Sequence, residues 1–254
     1  MTKINLWHMR IDPMSPAEVA TWIASDATSK RLLLNHNLHS TYLFTKNREF
    51  REVYALADKV IIDGLPVLLV LNLERRLAGY GTFSRNVRCG STDWLLGLHG
   101  LPHETRLALI GASAGSNDAA VAALERKYPT FQVRGWDGYA QLQHLTRTDF
   151  ADLNEFSPDL VLIGLGMPKQ ESFILKYWDR LPSATYASVG GAIDQISGHQ
   201  KLAPRWTGKY GIEWIWRLLS DPRRLYARYL IEPFRLIPST MRYRQRVRDE
   251  TKVI

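Results

Sequence analysis

The chain has little that would place it outside the cell or across a membrane. Its 254 residues contain one cysteine, Cys89, so no intramolecular disulfide forms and a multi-thiolate metal site is excluded. No stretch approaches the roughly 20 uninterrupted apolar residues of a membrane span. The longest apolar block, residues 60–73, is broken by Asp63, Gly64, Pro66 and Asn72. The first residues lack the basic head, apolar run and small-residue cleavage site of a secretory signal. His36, His39, His99, His103, His144 and His199 show no HExxH or other metal-ligand spacing. There is no GxxxxGK[ST], no GxSxG elbow, and Gly111 to Gly115 lacks the middle glycine of GxGxxG. These absences argue against P-loop phosphoryl transfer and serine-hydrolase chemistry. They predict a cytoplasmic protein with no metal and no cofactor.

Charge is unevenly placed. Residues 201–254 hold 13 Lys and Arg against 5 Asp and Glu, whereas the first 200 residues hold 20 of each. The whole formal surplus of +8 therefore lies in the last fifth of the chain. Between Gly211 and Leu230, Trp214, Trp216, Tyr226 and Tyr229 alternate with Arg217, Arg223, Arg224 and Arg228. Aromatics interleaved with arginines on a neutral body suit an anionic surface or ligand. The expected organisation is a body over 1–200 and a basic, aromatic-rich appendage over 201–254.

Strand and helix patterns alternate through the body. Ser15-Pro16-Ala17-Glu18 reads as a capping box opening a helix to about Ala24. Short apolar runs at 31–35, 59–62, 106–110, 132–135, 159–163 and 186–189 read as buried strands, with helices at 41–56 and 117–128 between them. This pattern predicts an α/β fold with a mostly parallel sheet covered by helices on both faces.

Polar chemistry gathers where those strands end. Asn35-His36-Asn37, Asp63-Gly64, Gly111 to Gly115, Gly164 to Glu171 and Gly190 to Asp194 each follow a strand. In open α/β sheets that edge carries the ligand crevice, and glycines there admit a close backbone approach. Helix N-termini beside such loops favour phosphate. Five such loops point to one shared binding crevice.

At this point the motifs resemble one family. Leu165-Gly166-Met167-Pro168-Lys169-Gln170-Glu171, Val189-Gly190-Gly191-Ala192-Ile193-Asp194, Ala203-Pro204-Arg205-Trp206, Gly211-Ile212-Glu213-Trp214 with Arg217-Leu218, and Asp221-Pro222-Arg223-Arg224 look like the WecG/TagA/CpsF glycosyltransferases. The order and spacing match over most of the chain. The resemblance implies metal-independent, inverting transfer of a sugar from a UDP-sugar to a membrane-bound polyprenyl-diphosphate-linked saccharide, with a Rossmann-like fold. It implies that Asp63 is the catalytic base, a role that inversion requires of one carboxylate. It also places Asn37, Gln170 and Asp194 on the donor sugar and nucleoside, with Lys169 against the diphosphate. Arg217, Arg224 and Arg228 are implied to assist the leaving UDP, with Arg85 or Arg88 as a further contributor. Asn35, Gly111, Tyr139, Gly164, Gly166, Glu171, Gly190 and Gly191 complete the expected substrate-binding set.

Two positions depart from the family pattern. Thr-Pro-Asn becomes Asn35-His36-Asn37, and Arg-Ala-Pro becomes Leu202-Ala203-Pro204, with Lys201 or Arg205 as substitutes for the missing arginine. The donor implied is UDP-N-acetylmannosamine, its uronic acid or UDP-glucuronate; for a uronate, His36 or an arginine near 85–88 would supply the added cation. In the appendage, Asp221-Pro222 reads as the end of one helix and the start of another, with Leu225, Tyr226, Tyr229 and Leu230 on one apolar face. Four alternating arginines follow at 242–248. This composition predicts peripheral membrane association, and the resemblance implies that the membrane is the inner face of the bacterial cytoplasmic membrane. Basic residues with aromatics also suit nucleic acid, but a nucleic-acid binder has no need of the glycine loops and Asp63, so no nucleic-acid partner is expected. A non-catalytic sugar-nucleotide scaffold remains an alternative, and a homo-oligomer is compatible with either reading.

Overall fold

The protein is described by a computed structural model over residues 4–6, 9–25, 29–201, 203, 207 and 213–251. A short antiparallel pair, β1 (Ile4–Leu6) and β2 (Met9–Ile11), precedes a six-stranded sheet. The sheet strands are β3 (Arg31–His36), β4 (Lys59–Ile62), β5 (Arg106–Gly111), β6 (Gln132–Trp136), β7 (Leu160–Gly164) and β8 (Thr185–Ser188). They lie in the order β4-β3-β8-β7-β5-β6, and every neighbouring pair is parallel.

The helices of the body are α1 (Pro16–Ala24), α2 (Leu38–Lys46), α3 (Arg48–Leu56), α4 (Leu65–Leu77), α5 (Ser91–Leu95), α6 (Ala114–Lys127), α7 (Ala140–Arg147), α8 (Ala151–Phe156), α9 (Lys169–Tyr177) and α10 (Ala192–Ile196). The C-terminal part adds α11 (Glu213–Ser220), α12 (Pro222–Tyr226), a π-helical turn over Ala227–Ile231, and α13 (Glu232–Thr251). The expected α/β class with helices on both faces is the observed one.

Successive strand residues explain the two-sided core. Leu32 and Leu34 point into one cluster with Val60, Ala108, Val161 and Phe173; Leu33 points into the other with Ile61, Leu107, Leu109 and Trp94. Strands covered on both faces need apolar residues at every position. The Ser15 capping box and Pro16 at the start of α1 are present as expected.

Several boundaries differ from the sequence reading. The helix expected over 41–56 is two helices, because Asn47 ends α2 and its side chain then accepts from Phe50 N at 3.3 Å, starting α3. The β1–β2 pair is not legible in the pattern; Asp12 beyond it ties to β4 through Asp12 N to Val60 O at 2.7 Å and Val60 N to Asp12 Oδ2 at 3.0 Å.

The C-terminal helix lies against the body. Tyr243 meets Phe44 edge to face at 5.8 Å, the Arg51 guanidinium sits over the Tyr243 ring, and His39 Nδ1 is 2.5 Å from Glu232 Oε2. Helix α12 begins at Pro222 as expected. Its apolar face does not form as expected: Leu225 is buried, while Tyr226 and Leu230 are exposed. Leu225 and Tyr226 are neighbours about 100° apart on a helix, and Tyr229 and Leu230 lie within the π turn, outside the α-helical register of α12. The arginines at 242–248 fall within α13; the side chains of Arg244, Arg246 and Arg248 lie outside the described residues.

Candidate functional site

The carboxyl ends of the strands carry a groove with three connected cavities. The outer one, about 690 Å³, opens between β5 and β7 and is lined by Tyr139, Gly164, Gly166, Lys169, Gly190, Gly191 and Asp194. This is a topological switch point: β5 continues to β6 on one side and β7 to β8 on the other, the geometry that opens a ligand crevice. Ala112 and Ser113, before α6, and Pro168 and Lys169, at the start of α9, also line it, so two helix N-termini face an incoming anion.

The middle cavity, about 130 Å³, is lined by Asn35, Asn37, Asp63, Gly166, Gln170, Gly190, Gly191, Arg228 and Tyr229. The third, about 270 Å³, lies on the tail side and is lined by Asn37, Asp63, Leu65, Pro66, Arg88, Trp214, Arg228, Tyr229 and Pro233. Asn37, Asp63, Arg228 and Tyr229 border both of the smaller cavities. Asp63 is half-buried at the end of β4, and Asn37 Nδ2 donates toward its Oδ2 at 3.5 Å. Asn37 is itself held as the cap of α2, its Oδ1 accepting from Ser40 N at 3.1 Å.

The structure sorts the other expected residues. Arg88 enters the tail-side cavity on a backbone bridged to Ile62 of β4, whereas Arg85 is exposed on a surface turn. Asp194 reaches the outer cavity while accepting from Ser116 Oγ at 2.7 Å. Lys169 and Tyr139 are exposed at its rim. The side chains of Arg217 and Arg224, and residues 202, 204–206 and 211–212, lie outside the described residues.

Other side chains turn inward. Gln170 is buried with both amide ends engaged: Nε2 donates to Glu171 Oε1 at 2.8 Å, and Oε1 accepts from Gly190 N at 3.2 Å. It borders the cavity but holds the glycine turn. Glu171 is buried and lines none of the three cavities. Asn35 Nδ2 donates to Ser91 Oγ at 2.5 Å and to Ser188 O at 3.0 Å, joining β3, α5 and β8.

Gly111 has φ +134° and a Cβ there would lie 2.4 Å from Gly164 O, so this glycine answers to strand packing. His36 is fully buried between Ser40 Oγ and Thr41 Oγ1, and burial holds its imidazole down to about 3. It is neutral at working pH and cannot be the extra cation considered for a uronate. Ser91, Gln195 and Gln200 line the middle cavity without any spacing in the sequence that marks them.

The buried Glu171 carboxyl has a pH signature. Burial pushes it up to about 7 from 4.5, against hydrogen bonds from Gln170 and its own backbone and the charge of Arg228. A raised native value means the folded state binds the proton more tightly. The stabilisation is complete below about 4.5 and is lost as pH rises through about 7. Glu171→Gln, neutral at every pH, is expected to gain stability relative to the parent by up to roughly 3 kcal/mol at pH 8. Urea unfolding at pH 5, 6, 7 and 8 measures it; parallel curves for the two proteins would refute the assignment.

A cavity of about 590 Å³ opens at the opposite edge of the sheet, beside Arg31, Arg106 and Thr185. Arg31 is committed to Thr185 Oγ1, Trp22 O, Ile23 O and Ser25 Oγ there. This edge has structural bonds where the carboxyl edge has converging loops.

Against known proteins, residues 4–250 match the Glycosyl transferase WecG/TagA/CpsF family. The chain belongs to this glycosyltransferase family. An N-acetylglucosaminyldiphosphoundecaprenol N-acetyl-beta-D-mannosaminyltransferase of Bacillus subtilis (strain 168) is 31% identical over 185 residues, covering 70% of this chain and 67% of the relative. A protein of the same description from Staphylococcus aureus (strain MRSA252) is 27% identical over 212 residues, 82% of this chain and 79% of the relative. As a WecG/TagA/CpsF glycosyltransferase, the chain has residues of its 165–171 and 189–194 motifs on loops that border the groove, and its basic tail brings Arg228 to the same place. Among the described residues, no three His, Cys, Asp or Glu side chains cluster to hold a metal ion, and no helix is long and apolar enough to cross a membrane.

Proposed function

We propose that the protein transfers N-acetylmannosamine, with inversion, from its UDP derivative to an N-acetylglucosamine carried on a polyprenyl diphosphate, a step in bacterial cell-surface polysaccharide synthesis. The observation that carries this reading is the position of Asp63 between two cavities. On one side the groove continues to the glycine loops and two helix N-termini, which suit a nucleoside diphosphate. On the other side the cavity is walled by Leu65, Pro66, Trp214 and Pro233, which suit the apolar neighbourhood of a lipid-linked acceptor. A base at the junction is placed to take the proton of the acceptor hydroxyl as that oxygen attacks the anomeric carbon.

The relatives' names support the sugar and the acceptor, and their β linkage fits inversion of an α-linked nucleotide sugar. The loss of His36 as a cation favours the neutral sugar over a uronate. Arg228, which borders both of the smaller cavities, is assigned to the leaving diphosphate, so that no metal is required. In the same reading the appendage associates peripherally with the anionic inner face of the membrane.

The test is UDP release with UDP-N-acetylmannosamine, its uronic acid and UDP-glucuronate in parallel, each with a lipid-diphosphate N-acetylglucosamine acceptor, with and without a chelator. Turnover is expected with the first donor, undiminished by chelation, and a β-linked product by NMR. Turnover confined to a uronate, or abolished by chelation, would overturn the corresponding part.

A further inference from the structure

We propose that the outward face of α4 is a docking surface for the membrane interface, seating the protein with its tail-side cavity toward the lipid; the inference rests on the lipid-acceptor reading above. The inner face of α4, with Val67, Leu68 and Leu71, is buried against Ile11, Ile62 and Val87. The face turned away carries Leu69, Leu73 and Leu77, which are 55%, 57% and 80% exposed. Residues four apart lie on one side of a helix, so these leucines form a single rail. At 1.5 Å per residue the rail spans about 18 Å from Leu65 to Leu77. Its near end is the cavity itself, because Leu65 and Pro66 line the wall shared with Asp63. Lone exposed leucines are ordinary, but leucines in register and continuous with a substrate cavity mark a contact surface.

Charge and neighbouring residues select a bilayer as the occupant. Arg76 is exposed on the same side of the helix, and Tyr80 stands exposed just beyond its end. Across the cavity mouth, Trp214 lines the wall and is 39% exposed; Phe234, next to the lining Pro233, is 80% exposed, with Arg235 exposed beside it. Apolar side chains flanked by Trp, Tyr and Arg match the layering of hydrocarbon beneath anionic headgroups. No helix among the described residues can span a bilayer, so α4 and the tail would meet the lipid from its surface.

The test compares full-length protein with the triple variant Leu69→Gln, Leu73→Gln, Leu77→Gln. Both are sedimented with phosphatidylglycerol–phosphatidylcholine vesicles that contain no acceptor, and both are assayed on an acceptor with a short, water-soluble lipid chain. Vesicle partitioning is expected to weaken by at least about tenfold, with turnover on the short-chain acceptor retained. Should the triple variant lose that turnover, Leu73→Gln alone repeats the comparison. Equal vesicle binding by variant and parent overturns the proposal. So does a shift from dimer to monomer in sedimentation velocity with vesicle binding unchanged, which would assign the rail to a second copy. Because the vesicles carry no acceptor, absence of transfer by the parent would sink the functional reading and leave the vesicle result standing.

Discussion

Asp63→Asn is expected to bind UDP as the parent does and to lower turnover by about 10²- to 10⁴-fold, the usual contribution of a positioned general base. The substitution keeps the shape of the side chain and removes its ability to take a proton. Asn37 lies 3.5 Å from the Asp63 carboxylate and is fixed as the cap of α2, so the carboxylate is steadied by a neutral group that leaves its charge uncompensated at that contact. The neighbouring backbone is also constrained: Asp63 N donates to His36 O at 2.8 Å, and Gly64 follows at φ +130°. Calorimetry with UDP and initial rates of UDP release separate binding from chemistry. Equal turnover in the variant would exclude Asp63 as the base.

Arg228→Ala should cost about 10²- to 10³-fold in turnover on a soluble acceptor analogue, the scale seen when one charge-stabilising group is removed from a reacting centre. Arg228 sits in the π turn between α12 and α13, half-buried, on the wall of both cavities that contain Asp63. From there its cation can meet charge developing on the leaving diphosphate. Its field also reaches the buried Glu171 carboxyl, where it opposes the effect of burial. Removing it is therefore expected to raise Glu171 further, so that the stability of Arg228→Ala falls more steeply than the parent's as pH rises toward 8. Arg228→Lys retains the charge without the planar fork and should recover part of the rate. A full rate in Arg228→Ala would remove Arg228 from the chemistry.

The strands and the loops after them were legible because each is a local signal. Leu107 to Ile110 is apolar at every position, as a strand covered on both faces must be, and Gly111 ends it. The Ser15 box and Asp221-Pro222 mark helix starts within four residues. What depended on distant partners was not legible. Gln170 reads as a free polar side chain until Gly190 and Glu171 are seen at its two ends. His36 reads as a cation until its burial is known, and Arg85 and Arg88 are equivalent until the bridge to β4 points one of them into the cavity. The leucines of α4 carry no hint in the sequence that their face would be left uncovered.

The sequence by itself determined the α/β class, the polar loops after the strands, the family resemblance and the concentration of charge in the last fifth of the chain. Periodicity, caps and composition are properties of short segments, so they survive without a fold. Only the tertiary structure decided that Asn37, Asp63 and Arg228 border the same cavities although 191 positions separate the first from the last. It also decided which polar groups are consumed by packing. Those outcomes follow from strand order and burial, which bring together groups that no local pattern connects.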